Sequence, residues 1–456
     1  MAGKLLRSFG RIRSAFADVY YPDSVDALRM LLQQAGEQRR KVTFRGAGLS
    51  FDSQSLNDDM VISLERLNHV IAVDPEKKQI TVQSGVRWGT IVEMVLPYGL
   101  TPYVVVTTAR ATAGGTLSGN CLSRSSPLYG KEGKHIERFE LLRPDGELVT
   151  CSREENPELF HAAIGGFGYL GVVTEITYNL LEIGDRRQVA TVVEKYEGFG
   201  PLLDALRTAT HDPGEWNAVY GVAFFSGRKN KGMVLRSRYT ADTELKPLAI
   251  YRPLTALRVP VEWLIRMSWV NNLVWNLFWR FSLKPATTYV NKLPGYAFFV
   301  DGNRVSAEVA EKVGIALPTI QQTYVIPEEN VLAFLEEAAT RLRRSKLSPN
   351  LFDILYVTED DFLMSSNNGL AGFAVSIAFQ HLTLRKMGIL DAILRDLSDL
   401  CGELGGRVYL VKSVHASHSQ LAAMYGENMA QFRALKEQLD PDSLLRNEFF
   451  DRVFGG

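Results

Sequence analysis

Two rhythms of hydrophobic and polar residues alternate along the chain. Short runs rich in β-branched and aromatic residues predict strands at KVTF, MVISLERL, IAVDPEKKQITVQSG, ERFELLRPDGELVTCS and GVVTEITYNL, two of them broken by Asp-Pro or Asp-Gly turn signals. Between them a 3.6-residue rhythm predicts helices. One opens at Asp23 as N-cap, with Val25, Leu28, Leu31 and Leu32 on one face, and another covers PELFHAAIGG. From about residue 190 the elements lengthen. WNAVYGVAFFSG and KGMVLRSRY read as paired strands and GFAVSIAFQ as another. VIPEENVLAFLEEAATRLRRS reads as a helix entered through Pro327, acidic early and basic late, as the helix dipole favours. MGILDAILRDLSDLCGELGG is a helix closed by glycine, GRVYLVKS a strand and ENMAQFRALKEQL a final helix. At the N-terminus Leu5, Leu6, Phe9, Ile12 and Phe16 recur at helical spacing among Lys4, Arg7, Arg11 and Arg13. This predicts an amphipathic helix over 1–16, packed on the protein or lying on a membrane surface.

Composition narrows the class only slightly. The 456 residues are 46% hydrophobic and 22% charged, enough for two or three domains with a large core. Lys+Arg and Asp+Glu are 51 each, so no global charge calls for nucleic acid. Cys121, Cys151 and Cys401 lack the spacing of a disulfide framework or a zinc site, and a cytoplasmic, reducing setting is expected. No stretch has the roughly 20 apolar residues of a spanning helix. Residues 251–285 hold four of the six tryptophans and five basic residues against one acid. They read either as a packed helix pair or as a peripheral membrane contact that admits a lipid-like substrate.

Glycine turns carry the candidate chemistry. RGAGLSF (45–51) follows a strand, holds two glycines and has no acid, so its backbone N–H groups suit a phosphate. GGTLSG (114–119) and the glycines between 165 and 171 add two more turns in the same region. Three close backbone approaches in one domain fit a long cofactor with a pyrophosphate. GFGYLG (166–171) spells GxGxxG, but a helix precedes it and a strand follows. That is the reverse of a dinucleotide-binding fingerprint.

The succession YPDSVDALRMLLQQA, VTFRGAGLSF, ITVQSGVRWGTIVEMVLPYGL, TAGGTLSGN, ELLRPDGELV and LFHAAIGGFGYLGVVTEITYNL resembles the FAD-binding domain of the vanillyl-alcohol-oxidase (PCMH) type over residues 18–185. The resemblance implies an α+β chain. A two-subdomain FAD-binding domain spans 17–190, and a substrate domain with an antiparallel sheet flanked by helices spans 191–405. A segment at 406–456 returns to the first domain. It implies that Arg45, Gly46, Ala47, Gly48, Leu49, Ser50 and Phe51 hold the pyrophosphate. Gly114, Gly115, Thr116, Gly119 and Asn120 would line the ring and ribityl chain, and Gly171 and Val173 the adenine–ribityl edge. Leu49 occupies the position where many members carry a flavin-linked histidine, so non-covalent FAD is expected, with Cys121 a small buried residue.

The tail GGRVYLVKSVHASHSQLAAMYG and the strand IQQTYVIP resemble the decaprenylphosphoryl-ribose oxidases. That likeness implies catalytic roles for Lys412 and Tyr409 and substrate contacts at Gln321 and Ser376. Leu122, Ser376 and Asp353 depart from the histidine, cysteine and lysine of that pattern, which argues for a different substrate. SSPLYG (125–130) is similar to a motif of delta-24 sterol reductases and adds Tyr129 as a pocket candidate. The expected function is FAD-dependent oxidation of a C–OH group on a bulky or lipid-linked sugar or polyol, the electron acceptor being left open. The alternatives are an ene-reductase acting on an isoprenoid or sterol-like double bond and a flavin-binding scaffold without catalysis. From the residues alone, Lys412 reads as a solvent-exposed lysine at a strand end, and the resemblance reverses that reading. His415 and His418 read as surface or supporting residues with no metal, and TEDD (358–361) as a solvated loop.

Overall fold

The computed structural model describes residues 3–226, 229–248, 287–303, 318–347, 349, 351–380 and 384–455, together with positions 273, 276, 277, 279 and 280. Helices and sheets are mixed: an FAD-binding domain of two small sheets is followed by a sheet-rich domain. The first sheet holds β1 (Lys4–Arg7), β2 (Ser14–Tyr20), β3 (Val42–Arg45) and β4 (Met60–Ser63) in the order β1-β2-β4-β3. Strands β2 and β3 both run parallel to β4, a pairing that needs a crossover. The helix Val25–Glu37 supplies the link between β2 and β3, burying Leu28, Leu32 and Ala35. Its N-cap is Ser24, whose hydroxyl accepts from the Ala27 N–H, one residue later than the Asp23 expected from sequence.

The N-terminal helix is not formed. Residues 4–20 make a β-hairpin, with Leu5 opposite Phe16 and Leu6 opposite Ala15. Gly10 and a left-handed Arg11 (φ 56°) turn the chain where a helix would have continued. The inward set in β2 is Ala15, Ala17 and Val19, a period of two that the larger residues obscure, because Leu5 and Phe16 point outward. The hairpin is built into the first sheet, so a boundary at residue 16 would fall inside β2.

The second sheet comprises β5 (Val70–Asp74), β6 (Gln79–Gln83), β7 (Leu100–Pro102), β8 (Ile136–Leu142), β9 (Leu148–Ser152) and β10 (Val172–Glu182), ordered β5-β6-β10-β8-β9 with β7 also on β10. The third contains β11 (Gln188–Glu197), β12 (Ala218–Ser226), β13 (Lys229–Thr240), β14 (Tyr289–Lys292), β15 (Thr319–Pro327), β16 (Leu351–Val357), β17 (Gly372–Gln380) and β18 (Arg407–Val408). Its order is β14-β11-β13-β12-β16-β17-β15-β18, antiparallel throughout. Pro327 ends β15 and does not start a helix; the next helix is Val331–Arg344, with Asn330 at the N-cap position but its side chain donating to Leu404 O.

Strand alternation separates the two faces of this third sheet. Phe352, Ile354, Phe373, Val375, Ile377, Ile320 and Tyr324 pack in one core with residues of the helices Phe199–His211, Val331–Arg344 and Leu384–Glu403. Val222, Leu355, Val357, Ala374 and Val325 form a smaller cluster on the opposite face, against which Leu122 packs. Each large apolar side chain buried this way contributes about 1.5–3 kcal/mol, so the helix-covered face anchors the sheet and the other is free to form a site.

Of the Trp-rich segment 251–285, most lies outside the described residues. Trp279, which is described, has Lys195 Nζ 5.1 Å and Lys231 Nζ 4.4 Å from its ring centroid. No described helix is long and apolar enough to cross a membrane.

Candidate active site

The three glycine turns meet. A Cβ on Gly46 would lie 2.2 Å from Thr112 Oγ1, one on Gly168 3.4 Å from the Phe44 ring, and the Gly165 N–H donates to Leu117 O at 3.1 Å. The first turn is therefore against the second and the third against both, and a side chain at Gly46 would displace Thr112. Gly48 adopts φ 69°, and a Cβ there would also meet the Arg45 guanidinium at 2.2 Å.

Residues 44–51 are half-buried, and no backbone N–H from Gly46 to Phe51 donates a hydrogen bond to any described residue. Six consecutive amides in a glycine turn thus remain available to a diphosphate, the group FAD presents. Arg45 is committed elsewhere. It folds beneath Gly48 and donates to Ser55 O (3.2 Å), Ser55 Oγ (3.1 Å) and Arg7 O (3.2 Å), and burial lowers its pKa.

The second turn is a short helix, Ala113–Leu117. Gly115 is exposed and Ser118 half-buried, so this edge is open to a ligand. Thr116 turns inward instead. Its hydroxyl donates to Glu132 Oε1 at 2.8 Å and accepts from Trp88 Nε1 at 2.9 Å. The Asn120 amide is likewise spent, on Asp360 Oδ2 (3.3 Å) and the Gly133 N–H (3.0 Å). Gly171 (φ 150°) packs under Leu142 O, and the Val173 side chain lies in the domain core. These two could touch a cofactor through backbone only.

Lys412 is brought to the first turn by the chain end. Gln54 Nε2 donates to Leu410 O and Lys412 O, both at 3.0 Å, and the Val414 N–H donates to Asp52 Oδ2 at 3.1 Å. Asp52 is also paired with Arg452 at 2.9 Å. The ammonium of Lys412 sits 4.6 Å from the Phe51 ring centroid. Burial lowers its pKa, while Cys121 and Asp353 act in the opposite direction. Tyr409 is buried beside it, its hydroxyl directed at Asn120 O (3.4 Å) and against Cys121. Burial pushes the Cys121 thiol up to about 12, so it is neutral, and it belongs to no disulfide.

On the open face of the third sheet, Asp353, Ser376 and Thr323 are cross-strand neighbours on β16, β17 and β15. Ser376 Oγ accepts from Gln321 Nε2 at 2.7 Å and bonds Thr323 Oγ1 at 2.7 Å. Asp353 is half-buried and lies in the field of Lys412 and Arg124; burial raises its pKa to about 6 against both cations. Arg124 is itself buried, with its guanidinium 4.0 Å from the Tyr296 ring centroid and 4.6 Å from that of Phe299. Lys412, Tyr409, Gln321, Ser376 and Leu122 thus share one region. Tyr129 lies in an aromatic group with Tyr103 (5.3 Å) and His135, its hydroxyl accepting from Asn217 Nδ2.

Sequence reading missed three charged groups behind this region. Asp360 was expected in a solvated loop, yet it pairs with Lys131 at 3.4 Å with both side chains fully buried, and Lys131 Nζ lies 5.6 Å from the Tyr409 ring centroid. Glu132 is buried with no cationic partner among the described residues, and burial raises its pKa to about 8. The alternation of polar and apolar residues around 131–132 and 360 offers no signal of this, because Lys131 meets Asp360 across more than 200 positions and Glu132 meets Thr116 and Tyr178 from other elements. His415 bonds Asp391 and His418 bonds Val453 O, and no group of potential metal ligands occurs among the described residues.

Comparison with known proteins follows the same division. An FAD binding domain model matches residues 17–152, and a D-arabinono-1,4-lactone oxidase model matches residues 265–453. The chain is 21% identical to the L-gulonolactone oxidase of Bos taurus over 459 residues, spanning 99% of this chain and 98% of that protein. It is 29% identical to a mitochondrial L-galactono-1,4-lactone dehydrogenase of Arabidopsis thaliana over 187 residues, 40% of this chain and 30% of the relative. Cytokinin dehydrogenase 2 of the same plant is 30% identical over 174 residues, 36% of this chain and 34% of the relative.

Proposed function

From the premise that this chain is an FAD-dependent oxidoreductase with an FAD-binding domain of the PCMH type, we propose that it oxidises a C–OH group of a sugar-derived polyol or lactone. The observation that carries this reading is the meeting of the amide cradle at Gly46–Phe51 with Lys412 and the polar row Gln321–Ser376–Asp353. The cradle and the Gly115 edge would hold FAD, which supplies the two-electron oxidation when bound. Hydroxyl-rich substrates suit a row of amide, hydroxyl and carboxylate groups, and the whole-length similarity to an L-gulonolactone oxidase supports a sugar-like substrate.

Lys412 would sit beside the reacting oxygen, where a positive charge stabilises the alkoxide that develops as the bond to hydrogen breaks. Tyr409 would fix the wall behind it. The lipid-linked form of the substrate rests on the basic, Trp-rich segment 251–285 and is a narrower version of the same proposal. Leu49 offers no atom for a flavin bond and the Cys121 thiol is neutral, so FAD is proposed to be non-covalent.

Anaerobic mixing of the yellow protein with polyols, aldonolactones and polyprenyl-linked sugars tests this. Bleaching of the flavin absorbance by a member of the first two classes is expected. Bleaching by none of the three would sink the reading, and bleaching by the third alone would select the lipid-linked form. Acid precipitation should leave the flavin in the supernatant; colour in the pellet would overturn the non-covalent assignment.

A further inference from the structure

Building on that reading, we propose that Asp353 is the group that takes the hydroxyl proton from the substrate, with Lys412 as its cationic partner. The sheet itself sets the geometry. Phe352 and Ile354 point into the helix-covered core, so Asp353 must point with Leu355 and Val357 to the open face. Directly across from it stands Ser376, whose hydroxyl is already engaged by Gln321 and Thr323. On its other side β12 presents Val222, which has no polar group to offer. The Asp353 carboxylate accepts no hydrogen bond from any described residue, and the Lys412 ammonium donates none, although each lies in the other's field. A half-buried carboxylate left unspent on the open face of the sheet is available to a hydroxyl that arrives there.

The other titratable groups in the region are unsuited to the task. Burial lowers the Lys412 pKa and the Asp353 carboxylate raises it; as the cationic partner of that carboxylate, the ammonium has no lone pair to receive a proton. Cys121 is a neutral thiol and burial raises the Tyr409 phenol well above its ordinary value, so both are protonated at neutral pH. Glu132 is turned away into the first domain, on Thr116 and Tyr178. Arg124 faces Asp353 but is committed to the Tyr296 carbonyl and to aromatic rings. Asp353 titrates near 6, closer to neutral pH than an ordinary aspartate, which improves its match to a general base.

The O–H proton passes to the Asp353 carboxylate as the C=O bond forms. The carbon-bound hydrogen would leave with its electron pair, for which bound FAD would supply the two-electron acceptor, and the proton on Asp353 would then be lost to water. The field of Lys412 holds Asp353 ionised before the step and stabilises the oxygen during it.

The test uses FAD-loaded protein and whichever alcohol bleaches the wild-type flavin. Asp353→Asn should slow anaerobic flavin reduction at pH 8 by about 100-fold or more and abolish the acidic limb that the wild type shows near pH 6. Asp353→Glu should restore the limb. A second readout needs no turnover: acylation of Lys412 followed by mass spectrometry. With Asp353→Asn the ammonium loses its anionic neighbour, its pKa falls further, and acylation at pH 8 should speed up several-fold. An Asp353→Asn enzyme within about threefold of wild type, or one that keeps the acidic limb, overturns the proton role. An unchanged acylation rate overturns the pairing. A wild-type flavin bleached by no alcohol removes the parent reading and the proton role with it.

Discussion

Lys131 and Asp360, 229 positions apart in sequence, form an ion pair at 3.4 Å with neither side chain exposed. Ser365 Oγ donates to Asp360 Oδ2 at 2.7 Å, and Asn120 Nδ2 donates to the same oxygen. The pair therefore pins the second glycine turn to a loop of the second domain and lies just behind Tyr409. Desolvating two charges is expensive, and the pair is held by mutual attraction together with these hydrogen bonds.

Removing one partner should be far worse than its contact energy. Asp360→Ala strands the Lys131 ammonium in a dry interior and is expected to lower stability by about 3–5 kcal/mol. Urea unfolding followed by tryptophan fluorescence measures this. A loss below about 1 kcal/mol would mean that water reaches the site.

The first glycine turn should be intolerant of any side chain. Gly48→Ala must keep φ 69° with a methyl group against the Arg45 guanidinium, a strain of about 1–3 kcal/mol. Titration of the apoprotein with FAD should show affinity weakened by roughly tenfold or more, while Gly200→Ala, with no atom within 4 Å of the added methyl, serves as a neutral control.

Lys412→Ala should retain the flavin and lose catalysis. Its backbone carbonyl, which receives Gln54, is unaffected by the substitution, so the turn stays clamped to the chain end. The missing charge should reduce the rate of flavin reduction by about 100-fold or more, measured under anaerobic conditions. Wild-type rates would remove this side chain from the mechanism.

Glu132 ties stability to pH. Its folded pKa of about 8 lies above the ordinary 4.5, so the folded state binds the proton more tightly. Its contribution is fully present below about pH 4.5 and is lost as the pH rises through 8, at up to about 1.4 kcal/mol per pH unit. Glu132→Gln keeps the acceptor for Thr116 and Tyr178 and removes the titration. Its unfolding free energy should lack that decline between pH 5 and 8 in paired denaturation series; an unchanged slope would place the titration elsewhere.

Local sequence determined most of the elements, because strand and helix periodicity report burial that neighbours in the chain share. The three glycine turns were legible for the same reason: a turn needs glycine wherever the backbone must bend tightly or come close, as Gly48 does. The N-terminal hairpin departs from the helical reading because Leu5 and Phe16 are large apolar residues on its outer side and Phe9 packs on Phe51, while the inward set is Leu6, Ala15, Ala17 and Val19. Only the folded chain decided which turns meet, that the Gln54 amide holds the Lys412 carbonyl across 358 positions, and that Asp353 lies in the field of Lys412 rather than in open solvent. Those outcomes depend on sheet register and on domain contacts made by residues far apart in sequence. No local pattern encodes them, because burial and pKa are set by what packs alongside.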